Sequence, residues 1–182
     1  MQFETLHTPR LQLYKLTDED YEELLLKKSD EEVTKYLGIA PEKVSAERKK
    51  AKKGFSTFNK TLLLFHITEK GSDKVIGWCG FHTWYRDHDR AEIGYVLSDD
   101  AYKAKGIMTE ALREVIKYGF EQMGLKRIEA FIGPNNTPSL KLIEKFGFQK
   151  EGYLRKHYRS NGKLEDSVLY ALLVEDYNPN TA

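Results

Sequence analysis

The chain reads Tyr102-Lys-Ala-Lys-Gly-Ile-Met-Thr-Glu-Ala-Leu112 at the point where a strand-like run gives way to a helix-like one. Residues 91–97, just before this segment, alternate in character and are rich in β-forming side chains. Apolar residues after it recur at helical spacing as far as Met123. The segment therefore predicts a glycine-containing loop that opens an amphipathic helix.

A loop in this position predicts an anion site. Backbone N–H groups at a helix N-terminus have no intrahelical partner and carry a partial positive charge, so they bind an anion through the main chain. Lys103 and Lys105 add formal charge at the same place. These residues indicate a phosphate group and leave its identity open.

Composition argues against a surface built for polyanions. The 182 residues include 29 Lys and Arg against 28 Asp and Glu, so we expect no direct nucleic-acid binding. The basic cluster at residues 48–53 is interpreted as a solvated helix face, with contact to ribosomal RNA or an acidic substrate as the alternative. The length predicts one domain over residues 1–182.

The cysteine and histidine content predicts neither a disulfide nor a metal site. Cys79 is the single cysteine, and histidines such as His66 and His82 lack metal-ligand spacing. The first residues do not resemble a signal peptide, and the apolar runs are too short to cross a bilayer. We therefore expect a soluble cytoplasmic protein without a membrane segment.

The order of predicted elements indicates a mixed sheet. A strand near Leu11–Leu16 precedes a helix capped by Thr17, and residues 30–60 predict two short helices separated at Pro41. Three strands at 62–68, 75–84 and 92–97 then form an antiparallel meander.

A βαβ unit follows the meander and a hairpin closes the chain. The long helix ends near Gly124, and a strand at 127–132 and a short helix at 139–146 come next. Strands at 152–158 and 166–174 flank the turn Ser160-Asn-Gly162. The fold class is therefore α/β, with a mostly antiparallel sheet that contains one parallel pair.

Six short motifs occur in the same order as in a known family. They are Thr8-Pro-Arg-Leu11, Ala91-Glu-Ile-Gly-Tyr95, Lys105-Gly-Ile-Met-Thr-Glu-Ala111, Asn136-Thr-Pro-Ser139, Glu144-Lys-Phe-Gly-Phe148 and Glu151-Gly-Tyr-Leu-Arg155. Together with the element order they resemble the GNAT family of N-acetyltransferases. The closer resemblance is to the RimJ/RimL-type N-terminal acetyltransferases of ribosomal proteins.

This resemblance implies the GNAT fold and acetyl-CoA as co-substrate, with no metal. In that fold a central twisted sheet, flanked by helices, has a parallel strand pair that splays to admit the pantetheine arm; here the pair is 92–97 and 127–132. The residues implied to bind the cofactor are Val96, Leu97, Ser98, Lys103, Ala104, Lys105, Gly106, Ile107, Met108, Thr109 and Asn136.

The anion loop departs from the family pattern at two positions. That pattern usually begins with Gln or Arg and ends with Gly or Ala, whereas this chain has Lys103 and Met108. Lys103 can face a phosphate as a point charge. Met108 can still donate its backbone N–H if its side chain turns into the core.

Acetyl transfer to an amine requires a base, an oxyanion site and a proton for the departing thiolate. Glu92 on the cleft strand is our candidate base, and a purely structural hydrogen-bond acceptor is the alternative reading. A strand amide near Val96 or Leu97 is the candidate oxyanion donor.

Two residues are candidates for protonating the thiolate. The tyrosine that many GNAT enzymes place four residues before the Gly-Phe pair is replaced here by Ile143. The RimL-like pattern offers Ser139, whose alternative role is an N-cap or first-turn residue. Tyr158 stands where RimL-like enzymes carry an acidic residue, and it can donate a proton.

The resemblance implies acetyl transfer to a primary amine, most specifically an N-terminal α-amino group of a ribosomal or other protein. Two alternatives stay open: a small-molecule amine such as a polyamine or antibiotic, and a non-catalytic acyl-CoA-binding domain. The sequence does not fix the oligomeric state, and a homodimer is compatible with it.

Overall fold

One sheet organises the chain. The computed structural model describes residues 3–57, 59–160 and 162–180. Its strands are β1 (Thr5–His7), β2 (Leu11–Thr17), β3 (Lys60–Glu69), β4 (Val75–Tyr85), β5 (Arg90–Leu97), β6 (Arg127–Ile132), β7 (Gln149–Ser160) and β8 (Lys163–Leu173). Their order across the sheet is β1-β2-β3-β4-β5-β6-β8-β7, and only the β5–β6 pair is parallel among the described strands.

The helices begin where local capping chemistry allows. They are α1 (Asp18–Lys27), α2 (Asp30–Leu37), α3 (Pro41–Ala51), α4 (Ile107–Glu121) and α5 (Thr137–Lys145). Thr17 and Ser29 each form a capping box. The side chain accepts from a first-turn amide, and an acidic side chain of that turn accepts from the N-cap backbone amide. Pro41 supplies the first residue of α3, where its missing N–H costs nothing.

The mixed sheet confirms the fold class predicted from the sequence. The prediction missed β1, because three residues are too few to show alternation and this strand is recognised only by its pairing with β2. Strands β7 and β8 both begin earlier than predicted. Asn161, in the predicted hairpin turn, and Phe58 lie outside the described residues.

The helices cover the two faces of the sheet. Leu13 belongs to a core cluster that includes the buried face of α4, whereas Leu16 belongs to a second cluster built with α1, α2 and α3. Because side chains alternate along a strand, residues three apart on β2 point to opposite faces. Both faces of β2 and of its neighbour β3 are therefore packed.

The parallel pair splays apart, as the fold class predicted. Strands β5 and β6 pair at three positions only, which are Arg90↔Arg127, Ala91↔Ile128 and Glu92↔Glu129. From residue 93 to its end at residue 97, β5 has no pairing to β6. A wedge-shaped gap therefore opens in the middle of the sheet toward the C-terminal end of β5.

Candidate active site

A carboxylate clamp closes the narrow end of the gap. Glu129 on β6 is only 8% exposed. One of its oxygens accepts from Arg90 Nη1 at 2.6 Å, and the other accepts from Arg127 Nε at 2.7 Å. Burial between two guanidinium groups satisfies the carboxylate and ties β5 to β6 at the last paired residues.

A cavity of about 520 Å³ occupies the open end of the gap. It lies between β5, the loop before α4 and the start of α5. The predicted site residues that line it are Val96, Leu97, Lys103, Ala104, Gly106, Ile107, Met108, Thr109, Asn136 and Ser139. Tyr95, Tyr102, Pro138 and Leu142 also line it, and the sequence reasoning did not single them out.

The loop before α4 presents main-chain donors to this cavity. Gly106 precedes the helix with φ +74°, a conformation that favours glycine, and Ala104 also has a positive φ of +58°. The first amide bonded back into the helix is that of Glu110, which donates to the Gly106 carbonyl at 3.0 Å. The amides of Ile107, Met108 and Thr109 thus lack an intrahelical acceptor.

The side chains of the first helical turn explain why those amides point outward. Ile107 and Met108 are nearly buried in the core cluster. Their main chain is left on the cavity side, which is the arrangement predicted for Met108. Lys103 also lies at the cavity, where it forms an ion pair with Asp100.

An ionic network braces the same loop from behind. Glu110 accepts from the Thr8 hydroxyl at 2.5 Å, from the Arg10 backbone amide at 2.8 Å and from Arg10 Nε at 2.6 Å. Arg10 Nη1 donates to the Lys105 carbonyl at 3.0 Å. Burial alone would raise the pKa of Glu110, but the hydrogen bonds from Thr8 and Arg10 outweigh it and lower that pKa.

Lys105 joins this network through its main chain, and its predicted contact with the cofactor stays a prediction. Lys105 is not among the described residues that line the cavity, and its carbonyl faces Arg10. The sequence motifs contain Thr8, Arg10 and Glu110 but do not indicate that these residues contact one another. No local signal reports a contact across about a hundred residues of chain.

The hydrogen bonds of Ser98 show which strand amides face the gap. Its amide and its hydroxyl both donate to the Ile76 carbonyl on β4, at 2.9 and 3.0 Å. Successive residues of a strand direct their N–H groups to opposite sides, so the Val96 amide, two residues before Ser98, also faces β4. The amides of Tyr95 and Leu97 therefore face the gap.

The predicted contact of the cofactor with the main chain of Val96, Leu97 and Ser98 stays a prediction, and these hydrogen bonds show which of the three residues has donors free for it. The donors of Ser98 are occupied by Ile76, and Ser98 is not among the described lining residues. Val96 lines the cavity with a side chain that is 46% exposed. Leu97 remains the candidate with an inward amide.

The start of α5 forms the opposite wall. Asn136 caps this helix, and its Oδ1 accepts from the Ser139 amide at 3.3 Å. Ser139 is thus a first-turn residue and not the N-cap. The Tyr95 hydroxyl donates to the Ser139 carbonyl at 3.4 Å, which links the two walls, and burial raises the pKa of Tyr95 to about 12.

The other two catalytic candidates lie apart from Ser139. Glu92 is at the last paired position of β5, where its Oε1 is 3.3 Å from His82 Nε2. Tyr158 is 43% exposed and lines a neighbouring cavity of about 670 Å³ that shares Asn136 with the first. Among the described residues, Ser139 lines the first cavity, Tyr158 lines the second, and Glu92 lines neither.

Asp166 shapes the hairpin that carries Tyr158. Its carboxylate accepts from the Lys156 amide and from the Tyr153 hydroxyl, both at 2.7 Å. These bonds lower the pKa of Asp166, the contact with the Lys156 amide being the larger cause. Lys156 has φ +54° within a register shift, and the pairing with β8 resumes at Tyr158. The sequence pattern did not reveal this bulge.

The basic cluster at residues 48–53 is only partly a solvated face. Arg48 donates to the Asp30 carboxylate at 2.6 Å and to the Lys28 carbonyl at 2.7 Å, so it holds α3 against the α1–α2 junction. Lys49, Lys50, Lys52 and Lys53 are exposed. Arg48 is therefore a structural residue.

None of the helices in the described ranges is long and apolar enough to span a bilayer. Across residues 3–57, 59–160 and 162–180, no three metal-ligating side chains come together.

Comparison with known proteins adds a family relationship. Residues 10–149 match the family described as the acetyltransferase (GNAT) domain. An uncharacterized N-acetyltransferase, p20, of Bacillus licheniformis is 41% identical over 96% of this chain and 98% of its own length. The crystal structure of a GNAT-family acetyltransferase from Bacillus anthracis is 30% identical, with a TM-score of 0.65 over 94% of this chain and 99% of that one.

A more distant relative has a named substrate. The [ribosomal protein uS5]-alanine N-acetyltransferase of Escherichia coli is 32% identical over 63% of this chain and 59% of its own length.

Proposed function

This chain belongs to the GNAT family and is an acetyl-CoA-dependent N-acetyltransferase, and from that premise we propose that its acceptor is an N-terminal α-amino group of a protein. The main structural support for an acetyl-CoA-dependent reaction is the cavity in the gap between β5 and β6, which has unpaired main-chain donors on two sides. We place the reaction in the cytoplasm, in keeping with the single, buried cysteine.

The residues of the cavity fit acetyl-CoA. The amides of Ile107, Met108 and Thr109 are free to hold the pyrophosphate, because the first helical bond is made by Glu110. The inward groups of Leu97 on the unpaired half of β5 offer strand-like hydrogen bonds to the pantetheine arm. The side-chain amide of Asn136 lies across the gap from them.

Acetyl-CoA supplies a thioester carbonyl carbon. A nitrogen–carbon bond forms between the amine and that carbon, and the carbon–sulfur bond breaks. The ammonium form of the acceptor loses two protons in all: one passes to a base and then to solvent, and one ends on the departing thiolate. The products are an amide and a free thiol.

The residues around the gap divide these tasks. The amide of Leu97 or Tyr95 is placed to stabilise the oxyanion, since the strand already fixes its direction. Glu92 is the proposed base. Ser139 is the proposed proton donor to the thiolate because it lines the cavity at the start of α5, and Tyr158 is the second donor from the neighbouring cavity.

Two observations support an α-amino acceptor. One relative is named as a uS5-alanine N-acetyltransferase, and an alanine has no amine in its side chain. A free α-amino group also titrates near 8, so about a tenth of it is neutral at pH 7, against far less than a hundredth of lysine side chains. A single carboxylate base therefore has less to overcome with an α-amine.

The test is release of free thiol from acetyl-CoA across a panel of acceptors. The panel contains peptides with a free N-terminus and no lysine, the same peptides with a blocked N-terminus and one lysine, a polyamine and an aminoglycoside. Turnover on the free N-termini alone supports the proposal. Faster turnover on the polyamine or the aminoglycoside would assign a small-molecule acceptor instead.

A further inference from the structure

Glu92 has a partner that sequence reasoning did not assign to it. The Oε1 atom of Glu92 lies 3.3 Å from Nε2 of His82 on β4. The two side chains are 24% and 37% exposed, so both reach solvent at the same surface of the sheet. In the described part of the chain, His82 is the one titratable group that contacts this carboxylate.

A second contact orients the imidazole ring. Nδ1 of His82 lies 3.3 Å from the Thr83 hydroxyl. If this hydroxyl donates to Nδ1, the ring proton of neutral His82 resides on Nε2, which faces Glu92. Thr83, His82 and Glu92 then form a chain of contacts in which one carboxylate oxygen is engaged and the other is left for an acceptor.

Gly94 makes room for this arrangement. A Cβ atom on Gly94 would lie 2.5 Å from Cδ2 and 3.0 Å from Nε2 of His82. Real Cβ contacts are longer, so any side chain at position 94 would push the ring away. The His82 ring therefore lies across β5 at Gly94, within the half of the strand that is not paired to β6.

We propose that His82 is a positioning residue that holds the Glu92 carboxylate toward the acceptor amine. The absence of a side chain at Gly94 leaves the space that the His82 ring occupies. Glu92 stands at the last paired position of β5, directly beside the gap. A misplacement of about 1 Å in such a group can cost about a hundredfold in rate. This inference rests on the proposed function, in which Glu92 is the base.

The decisive experiment is a double-mutant cycle on turnover with a peptide acceptor. Glu92→Gln is expected to lower kcat about a hundredfold, and His82→Ala about tenfold to a hundredfold, with the KM for acetyl-CoA unchanged. Because His82 acts through Glu92, the double variant should fall within about threefold of Glu92→Gln alone. Multiplicative losses, or an unaffected Glu92→Gln variant, would overturn the proposal.

An isosteric pair separates positioning from packing. The side-chain amide nitrogen of glutamine reaches about the place of Nε2, whereas that of asparagine reaches the place of Nδ1. His82→Gln should keep kcat within about threefold of the native value, and His82→Asn should resemble His82→Ala. Equal losses in the two variants would contradict a role for Nε2.

Gly94→Ala fills the space of the His82 ring without removing either polar side chain. We expect it to lower kcat about as much as His82→Ala does. Native kcat in this variant would overturn that part of the proposal. His7→Ala, which removes an exposed histidine on β1, is the matched control. Failure of the native enzyme to acetylate any amine would refute the proposed function itself, a result distinct from every variant outcome above.

Discussion

His66 makes the fold sensitive to acid. The side chain is buried on β3, where Nε2 contacts the Tyr21 hydroxyl, and burial lowers its pKa to about 4. Between that value and the ordinary pKa of about 6.5, the unfolded chain binds a proton that the folded chain refuses, so stability falls as the pH drops.

Replacing His66 should remove this dependence. The free energy of unfolding of the native protein, relative to that of His66→Gln, should fall by about 2 kcal/mol between pH 7 and pH 5. Urea denaturation of both proteins at each pH measures the difference. His7→Gln, at an exposed position, should leave the native dependence unchanged. A constant gap between the native and His66→Gln curves would show that His66 does not carry the effect.

Ser139 is expected to act on turnover and not on cofactor binding. Its amide is used by Asn136 and its carbonyl by Tyr95, but its hydroxyl makes no such contact among the described residues and lines the cavity. Ser139→Ala should therefore lower kcat about tenfold to a hundredfold at unchanged KM for acetyl-CoA. Steady-state kinetics with Ser45→Ala, on the exposed face of α3, as control checks this. An unchanged kcat would return Ser139 to its first-turn role.

The loop before α4 depends on the contacts of α4 with the N-terminal strands. Glu110→Gln removes the charge that Thr8 and Arg10 bind, and the Arg10 contact to the Lys105 carbonyl should loosen with it. We expect the KM for acetyl-CoA to rise about threefold to tenfold, with little change in kcat at saturation. Glu121→Gln, at the exposed end of the same helix, should behave like the native enzyme. A selective loss of kcat would disagree with this role.

The same network has a predicted pH dependence. The pKa of Glu110 is lowered in the folded state, so its contribution to stability is present above the ordinary carboxyl range and is lost as the pH falls through the lowered value. The native protein should therefore lose its stability advantage over Glu110→Gln only on acidification below about pH 4.

The parallel pair β5–β6 relies on its carboxylate clamp. Glu129→Ala leaves Arg90 and Arg127 without a buried partner, and we expect the free energy of unfolding to fall by about 3 kcal/mol. Glu151→Gln removes an exposed partner of Arg127 and should cost less than about 1 kcal/mol. Chemical denaturation of the two variants compares them, and equal losses would contradict the clamp.

Some helices and strands could be predicted from the sequence and others could not. Thr17 and the acidic turn after it predicted the start of α1 correctly, because a capping box is a purely local signal. Strand β1 gave no such signal, since its three residues become a strand only by pairing with β2. Met108 was expected to bury its side chain if its amide faced the cavity, and the structure confirms that burial.

Because the gap that is proposed to bind acetyl-CoA exists only in the folded protein, acetyl-CoA should raise the stability of the whole fold. A ligand bound only to the folded state at a hundred times its Kd stabilises that state by about 2.7 kcal/mol. For a chain of this size that corresponds to a rise in Tm of about 5 to 10 °C. Thermal denaturation with and without acetyl-CoA measures it. ATP, which lacks the pantetheine arm, should give a smaller shift, and no shift with saturating acetyl-CoA would contradict the assigned cavity.

The sequence by itself predicts the element order, the mixed sheet and the glycine loop at the start of α4, because periodicity and turn chemistry are local properties of the chain. Contacts between distant residues did not follow from them. Thr8 and Glu110 are 102 residues apart, and the meeting of His82 with Glu92 depends on the register of β4 against β5. Such contacts, and the direction of each amide at the gap, arise only when the strands pair and the helices pack, because they depend on strand register or on partners far apart in the chain.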